Sequence, residues 1–278
     1  MKKFNFNFKF KIKNVKLVII LLVIAILVLG FVYYKFIFSP INTRNKFANE
    51  LIQRSDENSI FHIQKILIYS SASVINNADT STLNDMSISQ YSDFSIYIDN
   101  RLENSELTDE NTVKELYIDN ISIEPNLIKR GTKLLNYKNP LIFGKYSNIA
   151  EFADRIDFKI INTNLENDDT DYSEPTFYTD CSNPITLGYL NKDILKHFSL
   201  PENSSTISFN AKVLQEANIT LDDIKYSLDF TIHIVNNLNQ NFSYNMSFDS
   251  EFDESFFENG YAFQGAELNG SENRFLRN

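Results

Sequence analysis

Residues 226–248 read YSLDFTIHIVNNLNQNFSYNMSF, and in them Tyr226, Leu228, Phe230, Ile232 and Ile234 alternate with Ser227, Asp229, Thr231 and His233. Successive side chains of an extended strand point to opposite faces, so one set is turned to a core and the other to solvent. Asn236-Asn237-Leu238-Asn239 then supplies turn chemistry, and Phe242, Tyr244, Met246 and Phe248 alternate in turn with Ser243, Asn245 and Ser247. Two alternating runs joined by an Asn-rich turn read as a β-hairpin.

The same period recurs in Phe94–Ile98 and Ile156–Ile160, and more weakly in Ile60–Tyr69, Leu116–Ile123 and Ile207–Leu214. Helical spacing is confined to Ile149–Arg155 and to Asn191–Phe198, where Leu190, Ile194 and Phe198 fall on one side. Eight to ten short strands with Asn/Asp-rich loops predict a mainly-β domain, a β-sandwich with a few short helices, over 59–265. The stretch 162–176 is polar and acidic and reads as a long surface loop. A flexible C-terminal tail is expected over 266–278.

Upstream the pattern changes completely. Leu17–Tyr34, LVIILLVIAILVLGFVYY, carries no charge, and apolar residues resume after Lys35 as far as Phe38. At 1.5 Å per residue the span 17–38 measures about 33 Å against a hydrocarbon core of about 30 Å, which predicts an N-terminal transmembrane helix. The run is longer than the usual signal-peptide core and lacks a small-residue cleavage pair, so it reads as an uncleaved signal anchor. Ser39-Pro40 then reads as a helix start, opening a juxtamembrane helix or stalk over 39–58.

Residues 1–16 hold six lysines and no acid, and the first acidic residue of the chain is Glu50. Positive-inside logic predicts a basic cytoplasmic tail over 1–16 and an extracytoplasmic domain at the cell membrane. Within the tail Phe4, Phe6, Phe8, Phe10 and Ile12 alternate with Asn5, Asn7, Lys9, Lys11 and Lys13. That pattern suits either a segment lying on the anionic inner leaflet or a plain topogenic flank. Beyond Phe38 the chain carries 19 basic and 36 acidic residues, so the exported part is acidic and nucleic acid is excluded as a partner.

Chemistry-bearing motifs are sparse. Seven scattered glycines form neither a phosphate loop nor a dinucleotide fingerprint, and no G-x-S-x-G occurs. Cys181, the single cysteine, sits among Asp180 and a Ser-Asn-Pro turn, a setting that suits a structural thiol; His62, His197 and His233 are scattered. Asn167, Asp169, Asp171 and Ser173 imitate the opening of a calcium loop, but Tyr172 and Tyr178 stand where Gly and the bidentate Glu belong. A looser calcium site made by Glu166, Asp168, Asp169 and Asp171 competes with a solvated acidic loop, and no other cofactor is expected. Six N-x-S/T sequons, at Asn120, Asn203, Asn218, Asn241, Asn245 and Asn269, are what chance gives in so Asn-rich a chain.

The sequence therefore predicts a single-pass, membrane-anchored envelope protein, with the Asn, Lys and Ile bias of an AT-rich bacterial genome. It presents an acidic β-sandwich outside the membrane as a binding or structural module, with the lipid bilayer and an envelope protein or glycan as partners. The alternative is a membrane-tethered hydrolase of cell-wall polymer or glycan using paired Asp/Glu.

Overall fold

The computed structural model describes residues 15–47, 60–77, 85–100, 106–125, 132–137, 154–162, 174–199, 207–268 and 273–278. The chain divides into two compact units, 1–57 and 58–278.

The described part of the first unit, 15–47, is helical. Helix α1 (Val15–Tyr33) runs into a π-helical turn (Tyr34–Phe38), and α-helix resumes over 39–47. Ser39 adopts helical angles (φ −64°, ψ −45°) and donates its N–H to the Tyr34 carbonyl five residues back. A proline ring at position 40 crowds the carbonyl four residues earlier and offers it no donor. The widened turn just before it gives that ring room, so the Ser39-Pro40 pair is absorbed inside a continuous helix instead of starting a new one.

Large apolar side chains of α1 are exposed, among them Ile20 (58%) and Leu29 (68%). Among the described residues no helix is long and apolar enough to cross a membrane. The basic tail and most of the stalk expected over 39–58 lie outside the described residues.

The second unit is mainly β. Its strands are β1 (His62–Asn76), β2 (Met86–Asp99), β3 (Val113–Pro125), β4 (Thr132–Tyr137), β5 (Ile156–Ile161) and β6 (Thr176–Tyr178). These are followed by β7 (Ile185–Phe198), β8 (Tyr226–Asn236), β9 (Asn241–Asp249), β10 (Ala262–Glu267) and β11 (Leu276–Arg277). Among the described residues three short helices intervene: α2 (Lys212–Glu216), α3 (Leu221–Ile224) and α4 (Glu254–Asn259). One sheet has the order β10-β1-β2-β7-β4 and the other β11-β9-β8-β3-β5-β6, antiparallel except for β5 with β6.

The two sheets bury their apolar faces against each other, as expected of a β-sandwich. Ile68, Ile88, Phe94, Ile96 and Leu187 of the first sheet share one core with Leu116, Ile118, Leu228, Phe230 and Ile232 of the second. Rings cross between the sheets: Phe94 meets Phe248 edge-on at 5.3 Å, and Tyr137 meets Phe158 edge-on at 6.0 Å. The 226–248 hairpin forms in the register its alternation implies, with Phe230 opposite Met246 and Ile232 opposite Tyr244.

Three expectations are corrected. Asn191–Phe198, predicted as helix, is the end of β7, whose pairing with β2 slips between Met86 and Ile88 and again between Ile88 and Gln90. Asp193 and His197 take left-handed angles (φ 56° each), and these bulges reset the alternation so that Ile194 and Phe198 imitate a four-residue period. Ile207–Leu214, predicted as strand, is a turn leading into α2, which buries Val213 and Leu214. Residues 273–278, within the stretch expected to be a flexible tail, are packed on the domain: β11 pairs with β9, Phe275 is fully buried, and the Phe275 N–H donates to the Phe61 carbonyl at 2.9 Å. Most of the helix expected over Ile149–Arg155 lies outside the described residues.

Candidate functional site

The residues that sequence singled out do not converge. Glu166, Asp168, Asp169 and Asp171 lie outside the described residues, and among those described no group of three His, Cys, Asp or Glu could hold a metal ion. Cys181 occupies a turn after β6, half-buried against the core with φ 56°, its N–H on the Tyr178 carbonyl at 3.0 Å. Each histidine faces an aspartate: His62 lies 3.6 Å from Asp99, His197 2.8 Å from Asp85, and His233 2.8 Å from Asp119.

The His233–Asp119 pair belongs to a row on the outer face of the second sheet. The Tyr117 ring stacks on His233 at 4.5 Å, and the Arg155 guanidinium lies 3.7 Å from the Tyr117 ring centre. Ser243, the strand partner of His233, accepts from the Asn278 amide at 3.0 Å. A hydrolytic triad needs a hydroxyl held by the histidine, and Ser243 is held by Asn278 instead. The row reads as a ladder of cross-strand pairs that ties β5, β3 and β8 together.

The place where features do gather is strand β10, the edge of the first sheet. The chain enters it from Gly260, which follows α4 in the left-handed conformation (φ 83°); a Cβ there would sit 2.5 Å from the Asn210 side chain. The Gly260 carbonyl accepts from the buried Ser71 hydroxyl at 2.7 Å and from the Ala211 N–H at 2.9 Å. A residue pinned so firmly fixes the direction in which Tyr261 and β10 leave the helix.

On the outer side of β10 the aromatic side chains are exposed. Tyr261 is 47% exposed, Phe263 61%, and Tyr69, opposite Phe263 in the register, 38%. The Tyr69 and Tyr261 rings are nearly parallel, 18° apart with centres at 5.8 Å, and Tyr91 lies 6.3 Å beyond Tyr69. Partial burial, reinforced by the neighbouring Tyr69 phenol, raises the Tyr91 pKa. Gly265 leaves room for the Leu67 side chain and the Phe263 ring, which a Cβ would meet at 3.1 and 3.8 Å.

A polar groove runs between β10 and α4, lined by Glu251, Asp253, Asn259, Tyr261, Phe263 and Gln264 among others. Asp253 caps α4 by accepting from the Ser255 N–H at 2.9 Å and from its hydroxyl, and these hydrogen bonds hold its carboxyl below the usual range. On the inner side of β10 lies an apolar cleft of about 240 Å³ between the sheets, bordered by Ile66, Ile68, Phe94, Phe230, Met246 and Phe248. Gln264 lines both cavities.

Sequence reasoning missed this edge because Tyr261-Ala262-Phe263-Gln264-Gly265 is short and glycine-interrupted, and because Tyr69 and Tyr91 come from distant strands. The available signal was the aromatic content itself, 14 Tyr and 24 Phe with no Trp. Family models, curated proteins and solved structures offer no match to this chain.

Proposed function

We propose that the chain is a single-pass envelope protein, anchored by the apolar segment 17–38 with its basic tail in the cytoplasm, whose acidic β-domain is an extracytoplasmic binding module. The anchor is supported by the uncharged run Leu17–Tyr34 and by exposed side chains such as Ile20 and Leu29, which water solvates poorly and lipid solvates well.

One observation carries the binding role. Tyr69, Tyr261 and Phe263 are large rings held side by side on one face and left exposed, while the core beneath is filled by other aromatics. A contiguous exposed aromatic patch rimmed by polar groups is the common signature of a contact surface. Its chemistry suits binding, because the aromatic face offers contact area and the adjoining groove offers hydrogen-bond acceptors.

Hydroxyl-radical footprinting tests this role on the full chain. Tyr261 and Phe263 are expected to be protected in native envelopes relative to the purified protein. Equal labelling in both would refute a binding role for the β10 edge.

A further inference from the structure

We infer that the β10 edge binds a glycan of neutral or N-acetylated pyranose sugars, with C–H faces laid on Tyr69, Tyr261 and Phe263 and hydroxyls turned to Glu251, Asn259 and Gln264. This rests on the reading of β10 as the module's binding edge. A pyranose has two faces of different chemistry: its ring C–H bonds make an apolar face, and its hydroxyls form a polar rim. The surface repeats that division, since three exposed rings stand beside a groove of carboxylates and amides. Aromatic side chains supply the apolar half at small entropic cost, and carboxylate and amide oxygens accept from the rim.

Charge separates this occupant from two others that an aromatic patch could take. Among the described residues, the ionisable side chains lining the groove, apart from a tyrosine phenol, are Glu251 and Asp253, and Asp253 is held ionised by its Ser255 hydrogen bonds. An anionic lipid surface attracts basic segments and repels such an edge, and the same holds for a nucleic-acid backbone. A neutral polyhydroxyl chain meets no such penalty.

The full chain, in a zwitterionic detergent without sugar head groups, is titrated with the hexasaccharide of β-1,4-linked N-acetylglucosamine and with that of β-1,4-linked glucose. Binding is read by saturation-transfer NMR and by tyrosine emission, which no Trp obscures. At least one hexasaccharide is expected to bind, and the double change Tyr261→Ser with Phe263→Ser to weaken it at least about tenfold. Leu238→Ser, which removes an exposed apolar side chain in the β8–β9 turn (50%), is expected to leave affinity unchanged.

Absence of binding by both sugars would overturn the inference, as would an equal loss in the Leu238 variant. So would a result in which the double variant loses instead a vesicle-binding or self-association activity of the parent. Protection of Tyr261 in the envelope together with no response to either sugar would defeat the glycan assignment while leaving the binding edge intact.

Discussion

The Tyr189 ring of β7 lies flat on the Tyr226 ring of β8, with centres 3.7 Å apart and planes 15° from parallel, joining the two sheets through the core. Both residues are almost wholly buried, at 0% and 3% exposure. Burial is the main cause that pushes both phenol pKa values well above 10, with the neighbouring Tyr226 phenol adding to the effect on Tyr189.

A sharp alkaline limit to stability follows. In the unfolded chain these phenols ionise near pH 10, whereas in the folded domain they stay protonated. The raised folded pKa means their contribution is intact below pH 10 and is lost as pH rises above it. There the unfolded state binds fewer protons, and stability falls by about 1.4 kcal/mol per pH unit for each phenol. Denaturation at pH 9 to 12 should show this slope, and phenolate absorbance should show Tyr189 and Tyr226 titrating only on unfolding.

Close to that pair, Gln90 and Asn191 face each other across β2 and β7, fully buried, and among the described residues neither side-chain amide has a hydrogen-bond partner. A buried unpaired amide costs about 1–3 kcal/mol. Gln90→Leu and Asn191→Leu should therefore each leave stability unchanged or raise it, as measured by chemical denaturation. A loss above about 2 kcal/mol in either would show that these amides are satisfied in solution.

The hairpin separates core from surface in a second way. Phe230 is 3% exposed, so Phe230→Asp should cost more than about 3 kcal/mol. Alternation alone puts Thr231 in solvent, yet it is buried, donates to Asn245 at 3.0 Å and accepts from Asn120 at 3.3 Å. Thr231→Asp would break these contacts and place a carboxylate opposite Asp119, so it too should be costly. The exposed Asn241 is the proper control, and Asn241→Asp should stay within about 0.5 kcal/mol.

The strands were legible wherever period two ran unbroken, as from Tyr226 to Ile234 and from Phe94 to Ile98. Legibility failed where left-handed residues reset the period. Tyr97-Ile98-Asp99-Asn100 ends a strand, whereas the same four residue types at Tyr117-Ile118-Asp119-Asn120 continue through a bulge at Asn120 (φ 52°). The β10 edge was invisible for a different reason. Its rings are brought together by register between strands about 190 residues apart, which no local window samples.

Cys181 is expected to be dispensable. It holds φ 56°, a conformation that costs a side chain other than Gly or Asn about 1 kcal/mol. Cys181→Gly releases that cost while giving up a half-buried contact, so the net change should stay below about 1 kcal/mol in denaturant. A larger loss would assign the thiol a structural role beyond its place in the turn.

The central claim is tested most directly by adding proteinase to intact cells stripped of their wall and following the chain with an N-terminal tag. The account predicts that the β-domain is digested and a small fragment, the tail plus residues 17–38, stays protected. Full protection of the chain until the membrane is broken would contradict it.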